Sequence, residues 1–161
     1  MRTEISDNAN SILIFGMLIF LVMGLRLPAF AGLGASVKSV ADDQLRMQAR
    51  IITIPATAYT IHELKSSLGV VVREYSSLAG KVFAVSWNGP FVPDMHQLLA
   101  NYFELYSREI RKQNKESSGH SSLDIRTPSL VVENTGHMRA YVGRAYDPSL
   151  LPAGVNVDDI R

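Results

Sequence analysis

The chain has 161 residues, room for a single domain, with 47% apolar residues, 19% charged residues and a formal net charge of +1. That balance argues against a dedicated nucleic-acid binder, which carries a basic footprint, and the ordinary apolar content argues against a disordered tail. Cysteine is absent, which excludes thiolate metal sites, iron–sulfur clusters, thiol catalysis and disulfide staples together.

From Ile12 to Leu25 every residue is apolar or glycine; Arg26 and Pro28 then interrupt the run, and Ala29-Phe30-Ala31 follows. A short apolar stretch closed by small residues at an A-x-A site is the layout of a secretory signal. A helix through this run rises roughly 21 Å, short of the ~30 Å hydrocarbon core of a bilayer. Residues 1–31 are therefore expected to be a signal peptide cut between Ala31 and Gly32, with residues 32–161 as the mature domain. The flank before the run is not clearly positive, since Arg2 stands against Glu4 and Asp7. Two other readings stay open: an uncleaved membrane anchor from Ile12 to about Leu33 with Arg26 snorkelling to the headgroups, and a buried core helix, which must be hidden on every side.

The mature chain opens on a glycine-rich start, Gly32 to Ala35, and Ser36 to Ala49 predicts a short helix with Val37, Val40, Leu45 and Met47 inward. Ile51 to Ile54 is a strand that Pro55 stops or places at a sheet edge. Three β-prone runs follow: Tyr59 to Leu64, Val70 to Tyr75 and Val82 to Trp87. Short turns at Ser66 to Gly69 and Ser77 to Gly80 join them, which implies an antiparallel meander. Alternation places Phe83, Val85 and Trp87 together on the face expected to be the core.

Asn88-Gly89-Pro90 breaks the last run. Asp94 then caps a helix over residues 94–112, with Gln97 completing a capping box. Met95, Leu98, Leu99, Tyr102, Phe103, Tyr106 and Ile110 recur at helical spacing and predict one face packed on the sheet. Lys115 to Ser122 reads as an exposed loop. Ser129 to Glu133 and Met138 to Tyr146 read as a hairpin turning at Asn134 to His137, and Pro148 and Pro152 leave the last residues as coil over the domain. The fold class expected is α+β: an antiparallel meander sheet, one main amphipathic helix packed on it, and a C-terminal hairpin.

Several of these stretches resemble a known family. They are Thr60-Ile61-His62-Glu63-Leu64, Val72-Arg73-Glu74-Tyr75, the run Gly80 to Pro90, Pro93-Asp94 with Leu98-Leu99, Gly143-Arg144-Ala145-Tyr146, and Leu151-Pro152. Together they resemble the proteobacterial domain-of-unknown-function family 2844, over roughly Gly32 to Arg161. The resemblance implies an exported bacterial protein with an N-terminal signal; it brings no activity, substrate, cofactor or catalytic residue.

The residues offer few chemical constellations. His62 and Glu63 are neighbours on a strand and point to opposite faces, so they do not chelate one ion together. A metal site from His62, His96 and Asp94 is weaker than surface or interface roles for these histidines, and no metal or cofactor is expected. The other histidines, His120 and His137, fall in a loop and a turn. No G-x-S-x-G elbow occurs, Ser86 lies within a strand, and Ser118 to Ser121 sits in the exposed loop. Arg73-Glu74 with Arg139 offers an anion site, against which cross-strand ion pairing is the stronger reading. The basic cluster Arg108 to Lys115 reads as a solvated helix end. Trp87-Asn88-Gly89-Pro90-Phe91 brackets a tight turn; its rings either anchor a partner or close a buried corner. The expectation is an exported, non-enzymatic accessory or binding protein of the bacterial envelope, periplasmic or secreted, whose partner is another envelope or secreted protein. A small exported hydrolase and a membrane-tethered form of the same domain are the alternatives.

Overall fold

A computed structural model describes residues 32–116 and 122–161; the expected signal or anchor at 1–31 and His120 lie outside the described residues. Seven strands form one antiparallel sheet: β1 (Arg50–Pro55), β2 (Tyr59–Lys65), β3 (Val71–Ser77), β4 (Val82–Gly89), β5 (Leu123–Arg126), β6 (Val131–His137) and β7 (Ala140–Tyr146). They lie in the order β1-β2-β3-β4-β7-β6-β5. The expected three-strand meander is β2 to β4, which β1 extends as the edge strand, and Pro55 ends that edge strand as its missing N–H requires. The C-terminal hairpin docks its second strand on β4, pairing Trp87 with Gly143. β5 is an addition to the expected pattern: it pairs with β6 as the far edge.

Helices cover one face. A 3-10 turn (Val37–Ser39) leads into α1 (Val40–Arg46); α2 is Met95–Leu99 and α3 is Phe103–Glu116. Leu45 turns outward, 76% exposed, against expectation, while Val40 is buried. The long helix is also interrupted. The Leu98 carbonyl accepts from the Leu33 N–H at 2.8 Å, so the entering chain takes a carbonyl that helix continuation needs. Ala100 answers with φ 46°, and a 3-10 turn (Ala100–Tyr102) joins the two pieces. The Asp94 carboxylate accepts from the His96 and Gln97 N–H groups as a cap. The Gln97 side chain, expected to complete the capping box, instead donates to Asp43.

Between helices and sheet lies the larger core, including Leu33, Val40, Leu64, Val72, Val85, Trp87, Leu98, Leu99 and Val132. A second core lies on the opposite face, where the C-terminal coil lays Leu150, Leu151, Val155, Val157 and Ile160 over Tyr75, Phe83, Ala84, Val131 and Tyr146. Phe83 therefore does not share a face with Val85 and Trp87. Tyr75 pairs with Ala84 and Ser76 with Val82, which leaves Phe83 as the extra residue of a β-bulge that turns it to the coil side. The hairpin turn also moves. β6 runs through Asn134 to His137, and Met138 and Arg139 make the two-residue turn with φ 53° and 69°. Positive φ at both central residues is the type I′ geometry that suits strand twist, here built without asparagine or glycine.

Candidate functional site

The bracketed turn after β4 separates into a buried half and an exposed half. Trp87 is 2% exposed, and its indole N–H donates to the Asn134 side-chain oxygen at 3.1 Å. The ring lies against Gly143, where a Cβ would overlap it, so that glycine is dictated by the indole beside it. Trp87 thus closes the core and leaves the expected partner surface. Gly89 and Pro90 are half-buried, Asn88 is exposed, and Phe91 is 48% exposed, with the Arg139 guanidinium 5.8 Å from its ring centre.

Phe91 is one wall of a groove of about 540 Å³. The loop Phe91 to Asp94 faces the turn residues Ser66 to Leu68, with Arg46, Met47 and Gln48 from the end of α1 as the third wall. Val70, Gln97 and Leu98 complete the lining. Leu68 is 70% exposed and Val92 40%, so with Phe91 three exposed large apolar side chains gather at this one opening. Charge enters through Arg46 and Asp94 in the lining and through Arg139 beside Phe91.

Behind one wall of the groove sits an unusual pair. Asp43 of α1 and Glu74 of β3 are both fully buried. The Gln97 amide donates to one Asp43 oxygen, while the other Asp43 oxygen and both Glu74 oxygens lack any hydrogen-bond partner beyond each other. Burial, the facing Asp43 charge and the hydrogen bond between the two acids push the Glu74 carboxyl well above the usual range. Asp43 is pushed up by burial too, against the opposing pull of its hydrogen bonds to Glu74 and Gln97. Glu74 carries a signal that a reading of Arg73-Glu74 as a charged unit passes over: alternation sets it on the face of Val72, among apolar groups, with Arg73 on the other face.

The remaining candidates occupy separate places. Arg73 donates to Glu63 at 2.8 Å and to the Arg161 carbonyl at 2.8 Å, while Arg139 sits over Phe91. The structure therefore makes Arg73 half of a cross-strand ion pair and does not bring it to Arg139. His96 packs its ring edge-on against Phe103, 4.8 Å between centres. His62 faces the Ser76 hydroxyl through Nε2 at 3.1 Å and the Thr53 hydroxyl through Nδ1 at 3.4 Å, and burial holds its pKa below the ordinary value. Ser76, which no motif marks, comes to His62 only through strand register. This is a nucleophile and a base in reach, but Ser76 is 2% exposed and the imidazole is oriented by a hydroxyl instead of a carboxylate. Among the described residues, no three His, Asp or Glu side chains gather as a metal site.

A second depression, of about 420 Å³, lies between β6, β7 and the C-terminal coil. Glu133 and Arg144 there are paired: Glu133 accepts from Arg144 at 2.7 Å and from Arg126 at 2.6 Å, and Arg144 donates to the Val157 carbonyl at 2.6 Å. The groove at Phe91 gathers three exposed apolar side chains, Leu68, Phe91 and Val92, where this depression has the exposed Val142.

The family model described as "Protein of unknown function (DUF2844)" matches residues 29–160. No curated protein and no solved structure matches the chain.

Proposed function

The chain belongs to the family of proteins of unknown function DUF2844, and on that premise we propose that it is an exported, non-enzymatic accessory protein of the bacterial envelope that acts by binding. The observation that carries the reading is the groove: a concave opening of about 540 Å³ edged by exposed Leu68, Phe91 and Val92. Aromatic and aliphatic side chains held in a concave site are what anchor a partner. Its occupant is an apolar segment of another envelope protein with acidic flanks, because Arg46 and Arg139 stand at the opening while the Asp94 carboxylate there caps the His96 and Gln97 N–H groups.

Leu68→Asp and Phe91→Ala should each abolish capture of a partner from the envelope fraction while leaving the melting temperature within about 2 °C, as exposed sites do. Leu78→Asp is the control, since Leu78 is 76% exposed in the turn between β3 and β4 and lies outside the groove lining. Capture that survives both groove variants, or fails equally in the control, sinks the groove as the binding surface.

The apolar run Ile12 to Leu25 with Ala29-Phe30-Ala31 supports export by a cleaved signal. A cut before Gly32 keeps the core whole, because Leu33 is fully buried and belongs to it. Intact-mass analysis of protein from the envelope or medium should show Gly32 as the first residue. Full-length protein that stays in the membrane pellet through alkaline carbonate washing would establish the anchor instead.

A further inference from the structure

Two carboxyl groups face each other in the buried interface between α1 and β3, with no buried cation among the described residues to balance them. Fully ionised, they would set two like charges together out of water, an arrangement that costs far more than a single shared proton. With one proton on the pair, Glu74 donates to Asp43 and Gln97 donates to the other Asp43 oxygen. The cluster then ties three elements together: α1 through Asp43, β3 through Glu74 and α2 through Gln97. We propose that the Asp43–Glu74 pair is a proton-dependent latch that fastens α1 to the sheet, so that losing its proton frees the groove wall built by Arg46 and Met47. The latch itself stands on the buried pair; its consequence for binding rests on the groove reading above.

The surroundings leave the pair to set its own response. On α1 the charges that act on Asp43 are Arg46 and Asp42, which oppose each other. Across the sheet Glu74 pairs with Val85 on β4, an apolar neighbour, and with His62 on β2, whose ring is engaged by Ser76 and Thr53. On α2 the polar neighbour is the neutral Gln97, while the His96 ring lies against Phe103.

The sign follows from linkage. Glu74 binds its proton more tightly in the folded chain than in the unfolded one, so its contribution is complete below the ordinary value of 4.5. That contribution is lost as pH rises from there to the raised value: between the two values each pH unit multiplies the unlatched population about tenfold, and above the raised value the dependence levels off. His62, whose folded pKa is lowered, acts in the opposite sense, losing stability as pH falls through its ordinary value of 6.5. A total stability curve therefore mixes the two, and the test needs a local readout.

Hydrogen exchange of the exported protein between pH 5 and 9, corrected for intrinsic rates, provides it. Amides of Val40–Arg46 in the wild type should lose protection by about tenfold or more as pH rises from 5 to the raised Glu74 value and then level off, while β3 and β4 amides keep theirs. Glu74→Gln keeps a donor toward Asp43 and cannot ionise, so its α1 protection should be flat with pH. Asp43→Asn combined with Glu74→Gln gives a fully uncharged pair if the first variant fails to fold. Wild-type α1 protection that is flat with pH, or a loss that both variants share, or a loss spread equally over the whole sheet, overturns the latch. Groove-dependent capture measured at one fixed pH stands or falls separately, so the two failures are distinguishable.

Discussion

Leu99→Ala is expected to lower stability by about 2–5 kcal/mol, the range for truncating a fully buried leucine, because the transfer energy of the lost methyls and the cavity left behind add. Leu99 ends α2 with no exposed surface and lies in the core with Leu33 and Leu98. The site has little room to collapse, since the Leu98 carbonyl beside it is pinned by the Leu33 N–H and Gly32 is pressed against the same turn. With a urea slope of about 1–3 kcal/mol per M, the midpoint should fall by about 1 M or more. Phe103→Ala should cost less, because that ring is only half-buried at the start of α3. Lys112→Ala should stay within about 0.5 kcal/mol, since its bond to Glu109 at 2.8 Å is an exposed i,i+3 pair. A Leu99→Ala midpoint indistinguishable from that of Lys112→Ala would remove the helix layer from the stability of the fold.

The strands and the amphipathic stretch were legible because each follows from one short period: β-branched runs bounded by turn residues, and apolar residues three and four apart. The errors share one physical origin, which is that a long-range partner decided the local geometry. The helix breaks at Ala100 because Leu33, far away in sequence, takes the Leu98 carbonyl. Phe83 changes face because β3 and β4 pair with an offset of one residue, and no property of Phe83 announces a bulge. Asn134 and Gly136 look like a turn and are strand residues, because Asn134 is needed under the Trp87 indole and the chain turns later, at Met138 and Arg139. β5 went unread because four residues, Leu123–Arg126, give too short a pattern until β6 is there to pair with them.

The candidate site was half legible for the same reason. Phe91 was marked by its position after a Gly-Pro turn, but Leu68 and Met47 join it only through the fold. Of the two readings open for Trp87, partner anchor and buried corner, the structure takes the buried corner. The buried carboxyl pair was hidden further, since Asp43 lies in what reads as an ordinary polar stretch of a helix. Its one sequence signal is Glu74 on the face of Val72, and the capping-box glutamine that leaves its box for Asp43 is visible only in three dimensions.

The pairing of Trp87 with Gly143 yields the second large effect, and its form is non-additive. Gly143 lies directly across from Trp87 in the β4–β7 ladder, and the indole packs against it. A Cβ added there meets two ring carbons and the Glu133 carbonyl oxygen, the last at 2.8 Å, so either the ring or the β6 backbone must give way. Moving the ring also breaks its 3.1 Å bond to Asn134, which leaves a buried polar group unpaired. Gly143→Ala is therefore expected to destabilise by about 1–3 kcal/mol or more, as overpacking does. Trp87→Ala should lose about 3–5 kcal/mol through its cavity. Combined, the new methyl enters space that the indole has vacated, so the double variant should be more stable than the sum of the two losses predicts by about 1 kcal/mol or more, within the range for residues in contact. Equilibrium denaturation of the four proteins of this cycle measures the difference. Strict additivity would mean that Gly143 answers to the Glu133 backbone alone, and the indole would lose its part in fixing that glycine.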